Sequence, residues 1–298
     1  VEEGFLEGVP ESVLTRHPAL TFAVPAMRQH ALNRVPEDLK KRLHRICAQW
    51  LQRTQPTNRL TWLRTLVAQY QGGELSREAA QRIVEAANLA LAQNRPSLAV
   101  ELLKQGQELV DEDSAAIAAE VLKRLGRISL EQGQYNQAEQ CLLHEVHYAI
   151  ILDDRNRIAQ AHTLLGQVLR FMGEYGRARE HLEYSGTLYI AEGDKAGQAD
   201  VYEEMGRVVW EQGDKGAYAQ ALEHLEKATN IRRRLPHKRA LARTLNNLAN
   251  IQLTMGHLVK AHTLHTEALE IRSAINDERG QMLSLLGLGA VQYECANW

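Results

Sequence analysis

Apolar and polar residues alternate through the middle of the chain with the period of amphipathic helices, and one pattern returns four times between residues 118 and 268. Each copy has a small residue inside an apolar helix, a turn glycine seven residues later, and then a second helix marked by alanines and leucines. The small residues of the four copies are Gly126, Gly166, Gly206 and Ala249. They are spaced by 40, 40 and 43 residues. Such self-similarity predicts stacked helical hairpins, because one hairpin cannot bury its apolar face alone.

The two small positions of each copy have different physical roles. A glycine inside a helix costs about 1 kcal/mol relative to alanine, so its repetition at one register predicts close helix contact. The turn glycines suit a backbone with positive φ at a helix end. They are Gly133, Gly173, Gly213 and Gly256. A weaker copy precedes these four, with Ala87 at the small position and Asn94 at the turn, and Gly289 places a further copy near the end of the chain.

The pattern resembles the tetratricopeptide repeat (TPR). The Leu-Gly pair of that family has counterparts at Leu125-Gly126, Leu165-Gly166, Met205-Gly206 and Leu248-Ala249. The later alanine of the family corresponds to Ala138, Ala178, Ala221 and Ala261. The family's Trp and closing Pro are missing, and the period exceeds the usual length of about 34 residues. The longer period and the sequence LNNLA look like the repeats of kinesin light chains and LGN-type scaffold proteins. The resemblance implies an all-α fold, a right-handed α–α superhelix or solenoid.

Composition supports an all-α chain and narrows the class of partner. The 298 residues are 44% hydrophobic and 24% charged, and no proline lies between Pro96 and Pro236. The formal net charge of −2 gives no global basic field for nucleic acid. No apolar run reaches the roughly 20 residues of a membrane span, and the three scattered cysteines suit neither a disulfide framework nor a zinc site. These features predict a cytoplasmic protein without membrane contact.

Residues 1–57 differ from the repeats and predict a small winged-helix-like segment. Apolar residues at helical spacing surround Pro36; they are Val35, Leu39, Leu43, Ile46, Cys47, Trp50 and Leu51. The segment resembles the winged-helix end of STAND-class signalling ATPases (signal-transduction ATPases with numerous domains). The matches are Phe22, Pro36, Leu43-His44, Ala48 and Leu51, whereas the usual His and Tyr of that family are missing. A plain helical cap in front of the repeats is the alternative interpretation.

The predicted organisation has three parts. The winged-helix-like or helical segment spans residues 1–57, a linking helix and turn span 58–78, and the TPR array spans 79–298. We expect about five to six repeats, the last of them truncated. Because Gly289 is in register so near the end, we expect the array to continue beyond Trp298.

The sequence contains no recognisable catalytic or cofactor motif. Phosphate-binding loop, HExxH and GxSxG patterns are absent. The histidine pairs His144/His147 and His262/His265 could each share one helix face, but no further ligand falls in register, so we expect no metal site. The basic cluster at 231–239 suits a helix C-terminus as well as it suits phosphates, so we expect no nucleic-acid partner. We therefore predict a non-enzymatic fragment without a cofactor or metal.

A candidate binding face follows from the repeat register. In TPR proteins the first helix of each hairpin lines the concave surface, and the inward positions fall three and six residues before the small residue and one, four and five after it. The predicted partner-binding residues are Arg127, Gln167, Arg170, Phe171, Arg207, Trp210, Arg243, Asn246 and Asn250. The likeness to kinesin light chains implies that Asn246 and Asn250 bind the main chain of an extended peptide. Arginines can bind carboxylates, and Phe171 and Trp210 can anchor apolar groups. The alternative is that Trp210 belongs to the core and the arginines are merely solvated.

Three functions remain to be weighed. The first is the protein- or peptide-binding TPR sensor or scaffold region of a larger bacterial STAND-type ATPase, in which the partner can also be another domain of the same protein. The second is a peptide-binding adaptor of the kinesin-light-chain or LGN kind. The third, an enzyme within these residues, would need a catalytic cluster that the sequence does not supply. The first two share a solenoid that binds protein and differ in what precedes Val1.

Overall fold

The protein is described by a computed structural model, which covers residues 6–9, 19–22, 32–54, 56–213 and 216–296. Within these ranges the chain is almost entirely helical, so the all-α prediction is confirmed. The helices are α1 (Glu37–Gln52), α2 (Arg59–Gly72), α3 (Ser76–Ala92), α4 (Pro96–Gln107), α5 (Ala115–Glu131), α6 (Tyr135–Ile151), α7 (Arg155–Phe171), α8 (Tyr175–Ala191), α9 (Lys195–Gln212), α10 (Ala217–Arg232), α11 (Lys238–Thr254), α12 (Leu258–Ala274) and α13 (Glu278–Ala296). They belong to two compact units, Val1–Gln132 and Gly133–Trp298.

The first unit contains α1 to α5 and a two-stranded antiparallel ribbon. Strand β1 (Leu6–Val9) pairs with β2 (Ala19–Phe22) so that Leu6 lies opposite Phe22. Each of the helices α1 to α4 packs against the next one, and α3 also contacts α5. Consecutive packing with an additional contact between alternate helices is the arrangement expected of stacked hairpins.

Part of the predicted winged-helix segment lies outside the described residues, which omit 1–5, 10–18, 23–31 and 55. The described part shows α1 held against α2, where the Trp62 indole donates to the Leu51 carbonyl at 3.1 Å. The apolar stripe of α1 is largely exposed: Leu39, Leu43, Ile46 and Trp50 are 44–58% accessible, whereas Leu51 is buried. The domain boundaries at 57/58 and 78/79 therefore stay a prediction.

The second unit contains α6 to α13, and again each helix packs against its successor. Helix α7 also contacts α9, and α11 contacts α13, so the first helices of neighbouring hairpins touch directly. The core consists of apolar residues from successive hairpins. One cluster includes Leu169, Leu182, Tyr189, Val201 and Val208, and the next includes Val209, Leu225, Leu248 and Ile251. These two clusters each extend from one hairpin into the next, as the repeat pattern predicted, whereas a third, smaller cluster lies within the hairpin of α11 and α12.

The turn residues adopt the backbone conformation that the sequence predicted. Gly133, Gly173, Gly213 and Gly256 have φ between 72° and 77°, and Asn94 at the equivalent turn has φ 56°. This left-handed conformation is strained for most side chains, which explains why glycine or asparagine occupies the position. Asp214 and Lys215, which follow Gly213, lie outside the described residues.

The small residues inside the first helices mark close contacts between the two helices of a hairpin. A Cβ atom added at Gly166 would lie 2.6 Å from Cγ of Leu182 on α8, and one added at Gly206 would lie 2.9 Å from Cγ of Leu225 on α10. Both leucines are fully buried. The missing side chain therefore makes room for a core leucine of the second helix, and this gain offsets the poor helix propensity of glycine.

We predict that Gly166→Leu lowers the free energy of unfolding by about 1–3 kcal/mol or more, because the new side chain must displace Leu182. Gly289 holds the equivalent register on α13, and a Cβ added there meets no heavy atom within 4 Å. Gly289→Leu is therefore the matched control and should cause no loss. Chemical denaturation measures both variants, and equal stabilities would show that the repeat register is wrong.

Candidate partner-binding face

The nine predicted face residues differ widely in their exposure. The exposed ones are Arg127, Phe171 and Arg243. The half-buried ones are Gln167, Arg207, Trp210, Asn246 and Asn250. Arg170 is buried. Arg127 belongs to the first unit and the other eight to the second, so only those eight can be compared as one surface.

Arg170 does not offer a free guanidinium to a partner, and this corrects its assignment to the binding face. The residue is 2% exposed, and its Nη1 donates to Glu211 Oε1 at 2.5 Å. Its Nε lies 3.4 Å from Glu204 Oε2, and its guanidinium carbon lies 4.0 Å from the centre of the Phe171 ring. Arg170 thus connects α7 to α9 through two carboxylates of the next repeat.

Phe171 keeps one part of its ring accessible. It is 46% exposed and stacks on Tyr135 with ring centroids 5.5 Å apart and an interplanar angle of 1°. With Arg170 over the same ring, Phe171 is held by aromatic and cation–π contacts rather than by core burial. It is a rigid apolar group at the surface of the second unit.

Trp210 packs against the core cluster around Leu225 and Leu248 and is still only partly buried. Gln167 and Asn250 are half-buried, and no side-chain hydrogen bond is recorded for either among the described residues. An amide can donate and accept at the same time, so these two side chains retain the capacity to bind a peptide group.

Glu203 is the centre of a buried charge network that joins α9, α10 and α11. The residue is fully buried. Its Oε2 accepts from Arg232 Nη2 at 2.8 Å and from the Thr244 hydroxyl at 2.7 Å, and its Oε1 accepts from Arg243 Nε at 2.8 Å and from Asn247 at 2.9 Å. The carboxylate is therefore saturated by donors, which is what makes a buried charge tolerable.

Arg243 and Arg207 are also committed to carboxylates. Arg243 Nη2 lies 3.1 Å from Asp200, and Arg207 lies 3.2 Å from Glu204. Burial is the largest single influence on the pKa of the Arg243 guanidinium and lowers it, but the charge and hydrogen bond of Glu203 and the charges of Asp200 and Glu204 together outweigh burial, so the net shift is upward. Burial raises the pKa of the Glu204 carboxyl, and the nearby Arg207 and Arg170 only partly offset this effect.

Asn246 belongs to an internal polar cluster, which corrects its assignment as a free peptide-binding amide. Its Oδ1 lies 3.0 Å from His265 Nδ1 and 3.4 Å from Arg272 Nη1. It is also 3.5 Å from the Ser284 hydroxyl on α13. Asn246 thus connects α11 to α12 and α13. Sequence reasoning missed Arg232 and Arg272, although their spacing of 40 residues places them at one register of the second helices.

Arg127 lies in the first unit, beside a cavity of about 350 Å³ between α3 and α5 that it lines with Lys123, Arg124 and Glu131. The side chain is exposed and can reach a ligand. The mixture of cations and carboxylates gives this cavity no single charge preference.

Two half-buried histidines face each other between α7 and α8. Their Nδ1 atoms, in His162 and His181, are 2.8 Å apart. Burial, followed by the charge of His181, lowers the pKa of His162 to about 4. Burial, followed by the charges of Arg272 and His262, likewise lowers the pKa of His265 to about 4. The rings of His162 and His265 are therefore neutral at pH 7.

The described part of the chain contains no group of three or more His, Cys, Asp or Glu residues arranged to hold a metal ion. None of its helices combines the length and the hydropathy that crossing a bilayer requires. No disulfide joins the three cysteines, all of which lie in the described residues: Cys141 is buried, and Cys47 and Cys295 are exposed.

Comparison with known proteins agrees with this geometry. Residues 214–274 match the sequence model of the tetratricopeptide repeat. No curated protein sequence matches the chain.

Solved structures show the same fold at low sequence identity. The STAND protein with a TPR sensor from Pyrococcus horikoshii has a TM-score of 0.58 and 17% identity, over 99% of this chain and 42% of that one. The Rap conjugation gene regulator of plasmid pLS20, solved with a Phr peptide, has a TM-score of 0.57 and 15% identity, over 69% of this chain and 56% of that one. A kinesin-light-chain-type protein with TPR-like repeats from Podospora anserina has a TM-score of 0.51 and 18% identity, over 68% of this chain and 98% of that one. These likenesses establish the TPR-like fold.

Breaking the Glu203 network should destabilise the second unit. Glu203→Gln removes one of the two carboxylates that compensate buried Arg232, and such a loss costs up to about 3–5 kcal/mol. Glu223→Gln is the control, because Glu223 pairs with Lys227 on the surface of α10 and its loss should leave the unfolding midpoint unchanged. Urea denaturation measures both. An unchanged midpoint for Glu203→Gln would contradict the proposed dependence of the unit on this carboxylate.

Acid should destabilise the fold in a defined pH range. The folded pKa of His162 and of His265 is about 4, whereas an unfolded histidine titrates near 6.5, so the unfolded chain binds more protons below pH 6.5. Stability is therefore complete above about pH 6.5 and falls as the pH drops towards 4, by about 1 kcal/mol per histidine after allowing for solvent screening.

The contribution of His162 to this pH dependence is tested with His162→Tyr. Tyrosine is the chosen replacement because Tyr202 holds the equivalent position one repeat later, where it faces His224. This variant should show a shallower fall in melting temperature between pH 7 and pH 5 than the original chain. Thermal melts monitored by circular dichroism give both slopes, and identical slopes would exclude His162 as a source.

Proposed function

We propose that this chain is a protein-interaction module that binds an extended peptide or a protein segment across the first helices of its repeats. The observation that carries the proposal is the set of half-buried amide and aromatic side chains at Gln167, Trp210 and Asn250, on three successive first helices. Partly buried aromatic anchors beside amides without internal partners are the features that peptide-binding surfaces use. Arg170 and Arg243 hold the helices of this surface together, because Arg170 connects α7 to α9 and Arg243 connects α11 to α9.

We further propose that the module is the sensor or scaffold region of a larger STAND-type signalling ATPase in the cytoplasm. The winged-helix-like sequence of residues 1–57 in front of the repeats supports this context, as does the likeness to a STAND protein with a TPR sensor over 99% of this chain. The chain spans 42% of that structure, so the nucleotide-binding part would lie elsewhere in the polypeptide. Binding of a partner to the repeats would then regulate ATP hydrolysis.

A peptide-binding adaptor without an enzymatic neighbour is the second candidate. The 40-residue period and the likeness to kinesin-light-chain-type repeats favour it. The two candidates make the same prediction for the repeats and different predictions for the full-length protein.

The test is to read the gene upstream of the codon for Val1 and to assay the full-length protein for ATP hydrolysis. A phosphate-binding loop together with hydrolysis that responds to a bound partner would support the STAND context. A full-length protein without that loop and without hydrolysis would contradict it and leave the adaptor.

The binding face is tested with peptides selected from a random display library on the immobilised chain. Gln167→Ala and Asn250→Ala should each weaken binding of selected peptides by about fivefold to tenfold, because each removes about one hydrogen bond to the peptide main chain. Their melting temperatures should not change, because neither side chain has an internal partner among the described residues.

Asn246→Ala is the contrasting variant. It should lower the melting temperature, because Asn246 accepts from Arg272 and contacts Ser284 inside the structure. Calorimetric titration gives the affinities. Unchanged affinity in both Gln167→Ala and Asn250→Ala would remove these residues from the binding face.

A further inference from the structure

A cavity of about 850 Å³ lies where α11 and α13 begin, in the second unit. It is lined by the turn before α11, the first turns of α11 and α13, and the turn after α12. Arg243 is among its lining residues, so the cavity borders the predicted binding face.

Cations dominate this cavity. Lys238, Arg239 and Arg279 are exposed around its rim, and the carboxylate among its lining residues, Asp277, lies 3.5 Å from Arg239. Asp277 also accepts from the backbone N–H of Gly280 at 3.3 Å. No ion pair is recorded for Lys238 or Arg279 within the described residues, so the rim carries unneutralised positive charge.

A buried cation, Arg272, also lines the cavity. It is 4% exposed, and its Nη1 donates to the Gly280 carbonyl at 2.7 Å and to the Ser284 hydroxyl at 2.6 Å. Its Nε has no hydrogen-bond partner, and no described carboxylate lies within ion-pair distance of the guanidinium. Burial lowers the pKa of Arg272, and the charge of Asp277 only partly offsets it. A buried guanidinium without a carboxylate is costly for the fold.

The preceding repeat has carboxylates at the positions where Arg272 has none. Arg232 is the equivalent of Arg272, 40 residues earlier, and it donates to Asp200 at 2.6 Å and to Glu203 at 2.8 Å. One repeat later, Arg243 and Asn246 stand at the positions of those two acids. The same interface therefore has two carboxylates at Arg232 and none at Arg272.

The start of α11 adds to this imbalance. Asp154 and Asp194 directly precede helices α7 and α9, and their carboxylates accept from backbone N–H groups of the first turn. Helix α11 begins after His237, without a side-chain cap, and its first turn has no acidic residue. Cations at a helix N-terminus oppose the helix dipole, whereas an anion there is stabilised.

We propose that this cavity binds an acidic peptide segment, whose carboxylates supply the charges that Arg272 and the rim cations lack. The proposal rests on the proposed function, because the segment would belong to the partner of the repeats. The bound carboxylates lie against Arg272, Lys238 and Arg279, and an apolar side chain of the segment packs on Ile275 and Leu283, which form the apolar wall. A bidentate carboxylate matches a guanidinium in geometry and in charge.

The local geometry favours a peptide over a nucleic acid. The cations of this cavity lie beside an apolar wall, in a chain of net charge −2, whereas nucleic-acid sites use an extended basic stripe along many phosphates. Nucleic acid is nevertheless an outcome that the experiment separates.

The probe is the fluorescein-labelled peptide Gly-Glu-Glu-Leu-Glu-Glu-Gly, measured by fluorescence anisotropy with the intact chain. Binding should weaken with added salt, and Lys238→Glu and Arg279→Glu should each raise Kd by about tenfold or more. Lys260→Glu is the matched control, because Lys260 is equally exposed on α12 but outside the cavity, and it should leave Kd unchanged. Equal binding of a peptide with Gln in place of Glu would overturn the proposal.

A second variant tests Arg272 directly. Asn246→Asp puts a carboxylate at the position that Glu203 holds one repeat earlier, within reach of Arg272. It should raise the melting temperature and, because Arg272 is then neutralised internally, weaken probe binding by about fivefold or more. A variant that binds the probe as the original chain does would exclude Arg272 from the site.

Two further outcomes are decisive. A twelve-nucleotide oligothymidylate that binds more tightly than the probe, with the same dependence on Lys238 and Arg279, would replace the acidic peptide by nucleic acid. If the probe does not bind, but library peptides still depend on Asn250, this proposal fails and the protein-interaction function stands.

Discussion

The close approach of the two helices of a hairpin is the constraint on which the rest of this structure depends. It requires a residue without a bulky side chain at one register of the first helix, so that a leucine of the second helix can enter. With the two helices that near, their remaining apolar faces form the core shared with the next hairpin. The left-handed turn seven residues later follows from the same constraint, because the chain must reverse within a few residues.

Polar groups complete the joints between successive hairpins. Arg170 joins α7 to α9, Glu203 joins α9 and α10 to α11, and Arg272 joins α12 to α13. These charged groups are buried where two repeats meet. Their contacts stabilise the fold itself, independently of any bound partner. The side chains that remain available for recognition are those that make no such contact between repeats. They are chiefly the amides of Gln167 and Asn250 and the cations at the rim of the cavity around Arg272.

The fold could be predicted from the sequence because its determinants are local and repeated. Small residues and turn glycines recur at fixed offsets, and the helices and turns of the described residues follow them. The binding face could be predicted only as a set of positions. Whether Arg170 or Asn246 points to a partner depends on what the next repeat places opposite it, namely Glu204 and Glu211 for the former and Arg272 for the latter. Those pairings join residues 26 to 41 apart, and no helical period reveals them.

The range of the polar links has a mechanical consequence. Within the second unit, the charged contacts of Arg170, Glu203 and Arg272 each join neighbouring helices or neighbouring hairpins and reach no further. Such a chain behaves like a one-dimensional lattice, in which a disturbance is felt by its nearest neighbours and fades with each hairpin crossed. Amide protons of a hairpin next to a broken link would therefore exchange faster, while those two hairpins away would keep their protection. The stability of each hairpin therefore depends mainly on its contacts with the hairpins next to it.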